Sequence, residues 1–174
     1  MDKKKIYLAA SCSKDDRQLV KEIAMQLRHY SETNGEVDYF IYCPFELKID
    51  EKDENGNWKL SQEEWSKRVF KADIKEIVNC DIFLMLTPGR HSTAGTNFEL
   101  GFVYGLNYCG HKIKSIVVQY TDDETSLMTY NGCILFCNTN RKDMYYDIIT
   151  ALNTEPKFDE EGDPVREECT TILT

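Results

Sequence analysis

The sequence lacks the long apolar run that a membrane-spanning helix needs. Its longest candidates are residues 82–86 and 133–137, whereas a span needs about 18 to 20 apolar residues. Positive charge is also scarce, because 21 Lys and Arg stand against 30 Asp and Glu and leave a formal net charge of −9. General nucleic-acid binding depends on neutralising phosphates with positive charge. We therefore expect a soluble protein that has neither a membrane nor a nucleic acid as partner.

A metal-binding pattern is missing as well. The seven cysteines form no C-x-x-C pair, and the three histidines, His29, His91 and His111, lie in unrelated segments. Several cysteines lie beside or within apolar runs, as small core residues do in the reduced proteins of the cytoplasm. We therefore predict a cytoplasmic protein with reduced thiols and no metal.

Three common enzyme motifs are absent too. The chain has no Walker A sequence, no Gly-x-Gly-x-x-Gly after the first apolar run and no Gly-x-Ser-x-Gly elbow. Neither a nucleoside triphosphatase nor a dinucleotide-dependent enzyme is supported, so we assign no cofactor. The basic start and the apolar residues 6–10 imitate a signal peptide, but this run is shorter than the roughly 7 to 15 residues of a real one. We interpret residues 6–10 as the first strand.

Short apolar runs alternate with segments of helical periodicity along most of the chain. The predicted strands are residues 6–10, 37–42, 81–87, 113–120 and 133–137, and the predicted helices include residues 61–79, 96–108 and 141–152. This alternation predicts one doubly wound α/β domain with a five-stranded parallel sheet, flavodoxin-like or Rossmann-like, and a site at the carboxyl ends of the strands. We assign residues 1–153 to this domain and residues 154–174 to an acidic tail, which is either exposed and poorly ordered or an arm that lies on a neighbour.

Asp73 is a carboxylate on an otherwise apolar stripe of a predicted helix. Val69, Asp73 and Ile77 are spaced four apart and so share one face of the helix. A carboxylate at the edge of a core and near strand ends can have a raised pKa and act as an acid or base. In the alternative interpretation Asp73 is solvated or paired with a lysine at the margin of a different core stripe. That stripe consists of Phe70, Ile74, Ile77 and Val78.

Glu99 also has two interpretations. Thr96 to Glu99 has the Thr-x-x-Glu form of a capping box, which explains the glutamate without any function. However, the predicted helix begins directly after the third strand, Gly95 lets a ligand approach the backbone, and free N–H groups face the crevice. This setting favours binding of an anion or a sugar. His91 in the same loop is a weaker acid or base candidate, since a lone loop histidine is usually only solvated.

Three segments of the chain together resemble the nucleoside 2-deoxyribosyltransferase family, over about residues 4–137. They are Ile6-Tyr7-Leu8-Ala9-Ala10-Ser11, then Asp73-Ile74 followed by Asn79-Cys80-Asp81-Ile82, and Gly95-Thr96-Asn97-Phe98-Glu99-Leu100-Gly101 with Tyr104-Gly105-Leu106. The resemblance implies a retaining double displacement in which Glu99 attacks C1′ of a 2′-deoxyribosyl group. It implies that Asp73 is the second catalytic carboxylate and that Tyr7 holds the nucleophile. Two carboxylates around an anomeric carbon suit glycosyl chemistry.

The chain departs from this family at two polar positions. Transferases of the family usually carry an aspartate six residues before the nucleophile, where it binds the sugar 5′-hydroxyl, and this chain has Thr93 there. The family also brings in an asparagine from a neighbouring subunit just before a Leu-Met pair, and here Ser126 precedes Leu127 and Met128. The resemblance therefore implies a homo-oligomer in which both polar anchors are hydroxyls.

The related 2′-deoxynucleoside 5′-monophosphate N-hydrolases have hydroxyl residues at both places, where they bind a phosphate. They also have a Gly-Ser turn where this chain has Ala10-Ser11. Hydroxyls donate to a phosphate, whereas a carboxylate repels it. The implied substrate is thus a 2′-deoxynucleoside or its 5′-monophosphate, with Lys14 or Arg90 as the source of positive charge. The implied substrate-binding residues are Ala10, Ser11, Thr93, Gly95, Thr96, Ser126 and Met128.

The resemblance leaves the acceptor of the sugar open. A free nucleobase as acceptor makes the protein a transferase, and water makes it a 2′-deoxynucleoside 5′-monophosphate N-hydrolase or a related N-glycosidase. A non-catalytic nucleotide-binding module on the same fold is the alternative of another class. The presence of both Asp73 and Glu99 argues against that module, because a pure binder gains little from a carboxylate directed at C1′.

Overall fold

The computed structural model of the chain describes residues 3–11, 13–34, 38–89, 94–160 and 164–169. Within these ranges the strands are β1 (Lys4–Ala10), β2 (Tyr39–Tyr42), β3 (Ile82–Thr87), β4 (Lys114–Gln119), β5 (Leu135–Asn138), β6 (Lys157–Phe158), β7 (Pro164–Val165) and β8 (Glu167–Cys169). The helices are α1 (Lys14–Asn34), α2 (Gln62–Val78), α3 (Ala94–Tyr108), α4 (Leu127–Asn131) and α5 (Met144–Asn153). None of the helices in these ranges is long and apolar enough to cross a membrane.

The main sheet has the order β2-β1-β3-β4-β5-β8, and all of its neighbouring strands are parallel. The five strands predicted from the sequence follow the flavodoxin-like order 2-1-3-4-5. The chain direction across the sheet therefore reverses beside β1, which creates the crevice where such folds bind ligands. The predicted doubly wound α/β fold is confirmed.

The sixth strand comes from the segment that the sequence assigns to an acidic tail. The backbone of Glu167–Cys169 pairs in parallel with β5 over residues 135–137. This pairing occupies backbone groups that an open edge of β5 would leave without partners. The sheet therefore continues past the boundary at residue 153 that the sequence predicts, and β6 and β7 form a separate antiparallel pair.

The sheet has an apolar core on each face. Ile6 and Leu8 of β1 belong to the core that packs against α1 and α5. Tyr7 and Ala9 alternate with them and belong to the core on the α2 and α3 side. This alternation directs Tyr7 toward the face that carries Asp73 and Glu99.

Helix α2 presents Asp73 to that second core. Ser61 caps the helix by accepting a hydrogen bond from the backbone N–H of Glu64 at 3.2 Å. Ile77 is fully buried, whereas Phe70 and Val78 are 56% and 37% exposed. The alternative stripe through Phe70 and Val78 is therefore wrong. The inward face is the one that Asp73 shares with Ile77, one helical turn away.

Candidate functional site

Two tyrosine–carboxylate pairs lie side by side on this face of the sheet. The Tyr7 hydroxyl donates to Oε1 of Glu99 at 2.9 Å, and the Tyr42 hydroxyl donates to Oδ1 of Asp73 at 3.0 Å. The two tyrosine rings are stacked, with centroids 5.3 Å apart and an interplanar angle of 22°. The structure thus brings together Tyr7, Asp73 and Glu99, and it adds Tyr42, which the sequence analysis missed.

Strand pairing explains how the two tyrosines meet. Tyr7 and Tyr42 are register partners in the parallel pair of β1 and β2, so their side chains leave the sheet next to each other on the same face. Phe83 of β3 stacks on the other side of the Tyr7 ring, with centroids 5.7 Å apart. Tyr7 is consequently buried completely and has little freedom to reorient.

Glu99 does not belong to a capping box. Helix α3 begins at Ala94, so Thr96 lies inside the first turn and is buried there, not at the N-cap. The carboxylate of Glu99 accepts the hydrogen bond from Tyr7 instead. The capping interpretation of Thr96 and Glu99 is therefore wrong, because the helix starts before the residue that would cap it.

Burial and charge shift the titration of this cluster. Burial raises the pKa of Glu99 to about 7, and the charge of Asp73 adds to the rise while the Tyr7 hydrogen bond opposes it. Burial also raises the pKa of Asp73, against the effect of the Tyr42 hydrogen bond. The pKa of Tyr7 lies above its ordinary value because of burial and the charges of Glu99 and Asp73, so its hydroxyl stays protonated. A carboxyl that titrates near neutral pH is typical of acid–base and nucleophilic sites.

The first turn of α1, just after β1, contains a buried carboxylate, Asp16, that the sequence analysis missed. Ala10 is half-buried at the end of β1, and the buried Ser11 donates its hydroxyl to Asp16. Ser13 also donates to Asp16 at 2.6 Å, as does the hydroxyl of Tyr120. Burial acts to raise the pKa of Asp16, but these three hydrogen bonds outweigh it and hold the pKa below its usual range. A serine hydroxyl has one proton, and Ser11 uses it in the hydrogen bond to Asp16.

The start of α3 holds two more of the predicted binding residues. Gly95 is exposed, and a Cβ added there would meet nothing within 4 Å, so the backbone is open to a ligand on that side. Thr96 is buried in the same turn. Thr93, together with Arg90 and His91, lies outside the described residues. The same applies to the side chain of Lys14.

Ser126 precedes α4, a short helix between the predicted strands 113–120 and 133–137 that the sequence analysis does not predict. The Ser126 carbonyl accepts from the backbone N–H of Tyr130 at 2.9 Å. Thr129 donates to Oδ1 of Asn97 at 3.2 Å and so connects α4 to the first turns of α3. The side chains of Leu127 and Met128 are 76% and 83% exposed. The Ser126 segment therefore lies beside α3, while its two large apolar side chains face outward.

The outer surface of α2 and α3 carries a group of neighbouring aromatic rings. Phe98 lies 6.2 Å from Phe70 and 6.4 Å from Phe102, measured between ring centroids. We call Phe70, Phe98 and Phe102 the aromatic patch. Phe70 and Phe98 are more than half exposed, so this patch is an apolar surface that lies partly on α3, the helix that carries Glu99.

Two cavities lie away from the carboxylates. One of about 490 Å³ follows β2, and one of about 560 Å³ lies at the amino ends of β4 and β5. Neither cavity is lined by Asp73 or Glu99. Within the described ranges, no group of three or more His, Cys, Asp or Glu side chains could hold a metal ion.

Comparisons with known proteins identify the family and support the fold. A sequence model of the nucleoside 2-deoxyribosyltransferase family matches residues 6–150. A solved 2-deoxyribosyltransferase from the psychrotolerant bacterium Bacillus psychrosaccharolyticus is 22% identical, with a TM-score of 0.59 over 84% of this chain and 95% of that one. A conserved protein from Enterococcus faecalis V583 is 18% identical, with a TM-score of 0.58 over 86% and 99%. The two structures support the fold, and no curated protein matches the chain.

Proposed function

The chain belongs to the nucleoside 2-deoxyribosyltransferase family, and on this premise we propose that it cleaves the N-glycosidic bond of 2′-deoxynucleosides or their 5′-monophosphates. The reaction proceeds through a covalent deoxyribosyl–Glu99 intermediate, and the sugar passes to another base or to water. The observation that carries the proposal is the hydrogen bond from the buried Tyr7 to Glu99, in a site where Asp73 is close enough to raise the pKa of Glu99.

The first step needs one ionised and one protonated carboxyl. Ionised Glu99 attacks C1′, the glycosidic bond breaks, and the base leaves with the bonding electron pair. Asp73 supplies the proton that the leaving base takes up, which suits a carboxyl whose pKa burial raises. In the second step a free base or water attacks C1′ from the opposite side, gives up its proton to the now ionised Asp73, and releases Glu99 as a carboxylate. Tyr7 keeps its proton throughout and holds Glu99 in line.

Product analysis tests this function. The protein is incubated with deoxyinosine or with a deoxynucleoside monophosphate, each with and without free adenine, and the products are separated by chromatography. An exchanged adenine nucleoside or nucleotide indicates transfer, and free base alone indicates hydrolysis. If neither forms while the substrate binds, the protein is a non-catalytic nucleotide-binding module and the proposal fails.

We expect a 5′-monophosphate to be used better than the matching nucleoside. Thr93 and Ser126 offer hydroxyl donors, and the start of α3 offers the partial positive charge of a helix N-terminus. The hydroxyl of Ser11 is not one of these phosphate donors, because it donates its proton to Asp16. Thr93→Asp should repel the phosphate and provide a partner for a 5′-hydroxyl. The expected change is roughly 1 to 3 kcal/mol, or about ten- to a hundredfold in relative kcat/KM.

The measurement is kcat/KM for deoxyadenosine and for its 5′-monophosphate, in the unchanged protein and in Thr93→Asp. Thr121→Asp is a matched control, because Thr121 donates its hydroxyl to the Pro88 carbonyl and has no proposed part in substrate binding. If the unchanged protein already prefers the nucleoside, or if Thr93→Asp leaves the ratio unchanged, Thr93 has no role in substrate choice.

We further expect a homo-oligomer in which the Ser126 segment of a neighbour completes the site. Two observations support this: Leu127 and Met128 are largely exposed, and the aromatic patch extends over the helix of Glu99. Leu127→Asp should dissociate the oligomer and abolish turnover. Met25→Asp is the control, because Met25 is 62% exposed on α1, which packs on the other face of the sheet. Sedimentation that finds an active monomer at assay concentration would rule out the composite site.

A further inference from the structure

Tyr42 contacts the second carboxylate of the site in the way that Tyr7 contacts the first. Its hydroxyl donates to Oδ1 of Asp73 at 3.0 Å, and its ring is stacked against Tyr7. The bond is made to Oδ1, so the second oxygen, Oδ2, is left for a proton exchanged with a substrate without loss of the Tyr42 contact. The bond also crosses between β2 and α2, which fixes the side chain of Asp73 against the sheet.

We propose that Tyr42 is a positioning residue for Asp73, which orients this carboxyl and sets its protonation state during cleavage of the glycosidic bond. This inference rests on the proposed function for its kinetic consequence. Its structural part, the control of Asp73 by Tyr42, concerns the protein without any substrate and can be measured separately.

The groups that face Asp73 come from four elements. They are Tyr7 of β1, Tyr42 of β2 and Glu99 of α3, together with Glu76 of α2, which lies one turn further along the helix and acts on Tyr42 and not directly on Asp73. Among the described residues no cation contributes to the shift in the pKa of Asp73, and Tyr42 supplies the one hydrogen bond that lowers it. Since burial favours the neutral carboxyl and the hydrogen bond favours the ionised one, loss of the Tyr42 hydroxyl should raise the pKa of Asp73.

Tyr42→Phe removes the hydroxyl and keeps the ring that stacks on Tyr7, so we expect a folded protein. Tyr39→Phe is the matched control: Tyr39 lies on the same strand but faces the other core of the sheet. In protein labelled with ¹³C at the aspartate carboxyls, the resonance that disappears in Asp73→Asn identifies Asp73. Its pKa should rise by about one pH unit in Tyr42→Phe and stay unchanged in Tyr39→Phe.

Kinetics supply the second readout. Tyr42→Phe should lower kcat about tenfold with KM nearly unchanged, and it should have no further effect in the Asp73→Asn background. An unchanged titration of Asp73 in folded Tyr42→Phe overturns the inference, whatever happens to kcat. An equally large loss of kcat from Tyr42→Phe in the Asp73→Asn background also overturns the inference. A protein that turns over no deoxynucleoside or monophosphate contradicts the proposed function instead, while the titration still decides the role of Tyr42.

Discussion

Glu99→Gln is expected to lose essentially all turnover, by about 10⁴-fold or more, and to fold as the unchanged protein does. An amide oxygen is too weak a nucleophile to attack C1′, so the covalent step cannot occur. The amide oxygen still accepts the hydrogen bond from Tyr7. Because burial raises the pKa of Glu99 to about 7, the ionised carboxylate destabilises the folded state progressively as pH rises from its ordinary pKa through 7. The neutral amide of Glu99→Gln does not cause this loss of folded-state stability above pH 7.

The measurement combines kcat with the melting temperature at pH 8, where Glu99→Gln should melt no lower than the unchanged protein. Glu63→Gln is the control, because Glu63 is solvent-exposed on α2 and pairs with Lys67 at 2.5 Å. Such a surface pair contributes little to stability, and its loss should leave turnover unchanged. Near-normal turnover of Glu99→Gln would show that Glu99 is not the nucleophile.

Asp73→Asn is expected to lower kcat by about 10² to 10⁴, the usual contribution of a general acid. The asparagine carbonyl still accepts the hydrogen bond from Tyr42. The packing of residue 73 with Tyr7, Tyr42 and Glu99 is therefore retained. The amide cannot deliver a proton to the leaving base. The loss should consequently be largest for bases that leave poorly without protonation and smallest for bases that leave readily as anions.

This dependence is measured as kcat for a series of deoxynucleosides or monophosphates whose bases differ in acidity. Glu64→Gln, at an exposed site paired with Arg68 on the same helix, controls for a change of charge on α2. A uniform loss across the series would contradict proton donation by Asp73 and would leave it only an orienting role.

Most of the fold could be predicted because its signals are local. Alternating apolar runs and helical periodicity are enough to define β1 to β5 and the longer helices, although not the short helix α4. The doubly wound fold then brings the sequence-distant Tyr7 and Glu99 together at one crevice. The resemblance to a known family then singled out Tyr7, Asp73 and Glu99. The structure joins these three through direct contacts and electrostatic interactions.

The parts that could not be predicted depend on non-local register. Tyr42 reaches Asp73 because it pairs with Tyr7 across two strands, and no spacing in the sequence encodes that partnership. The strand β8 forms because the edge of β5 needs partners, although its own composition is that of a solvated acidic segment. The sequence analysis placed the start of α3 two residues too late, because Thr96 and Glu99 fit a capping pattern. The helix begins at Ala94, so Thr96 cannot be its N-cap.

Direct detection of the sugar on Glu99 tests the central claim. The protein is mixed with excess substrate, quenched with acid during turnover, digested and analysed by mass spectrometry. We predict that the peptide containing Glu99 gains the mass of one deoxyribosyl group, or of its 5′-phosphate when the substrate is a monophosphate, and that the gain is absent from Glu99→Gln. If the protein turns over its substrate and the sugar is found attached to another residue, the account is contradicted.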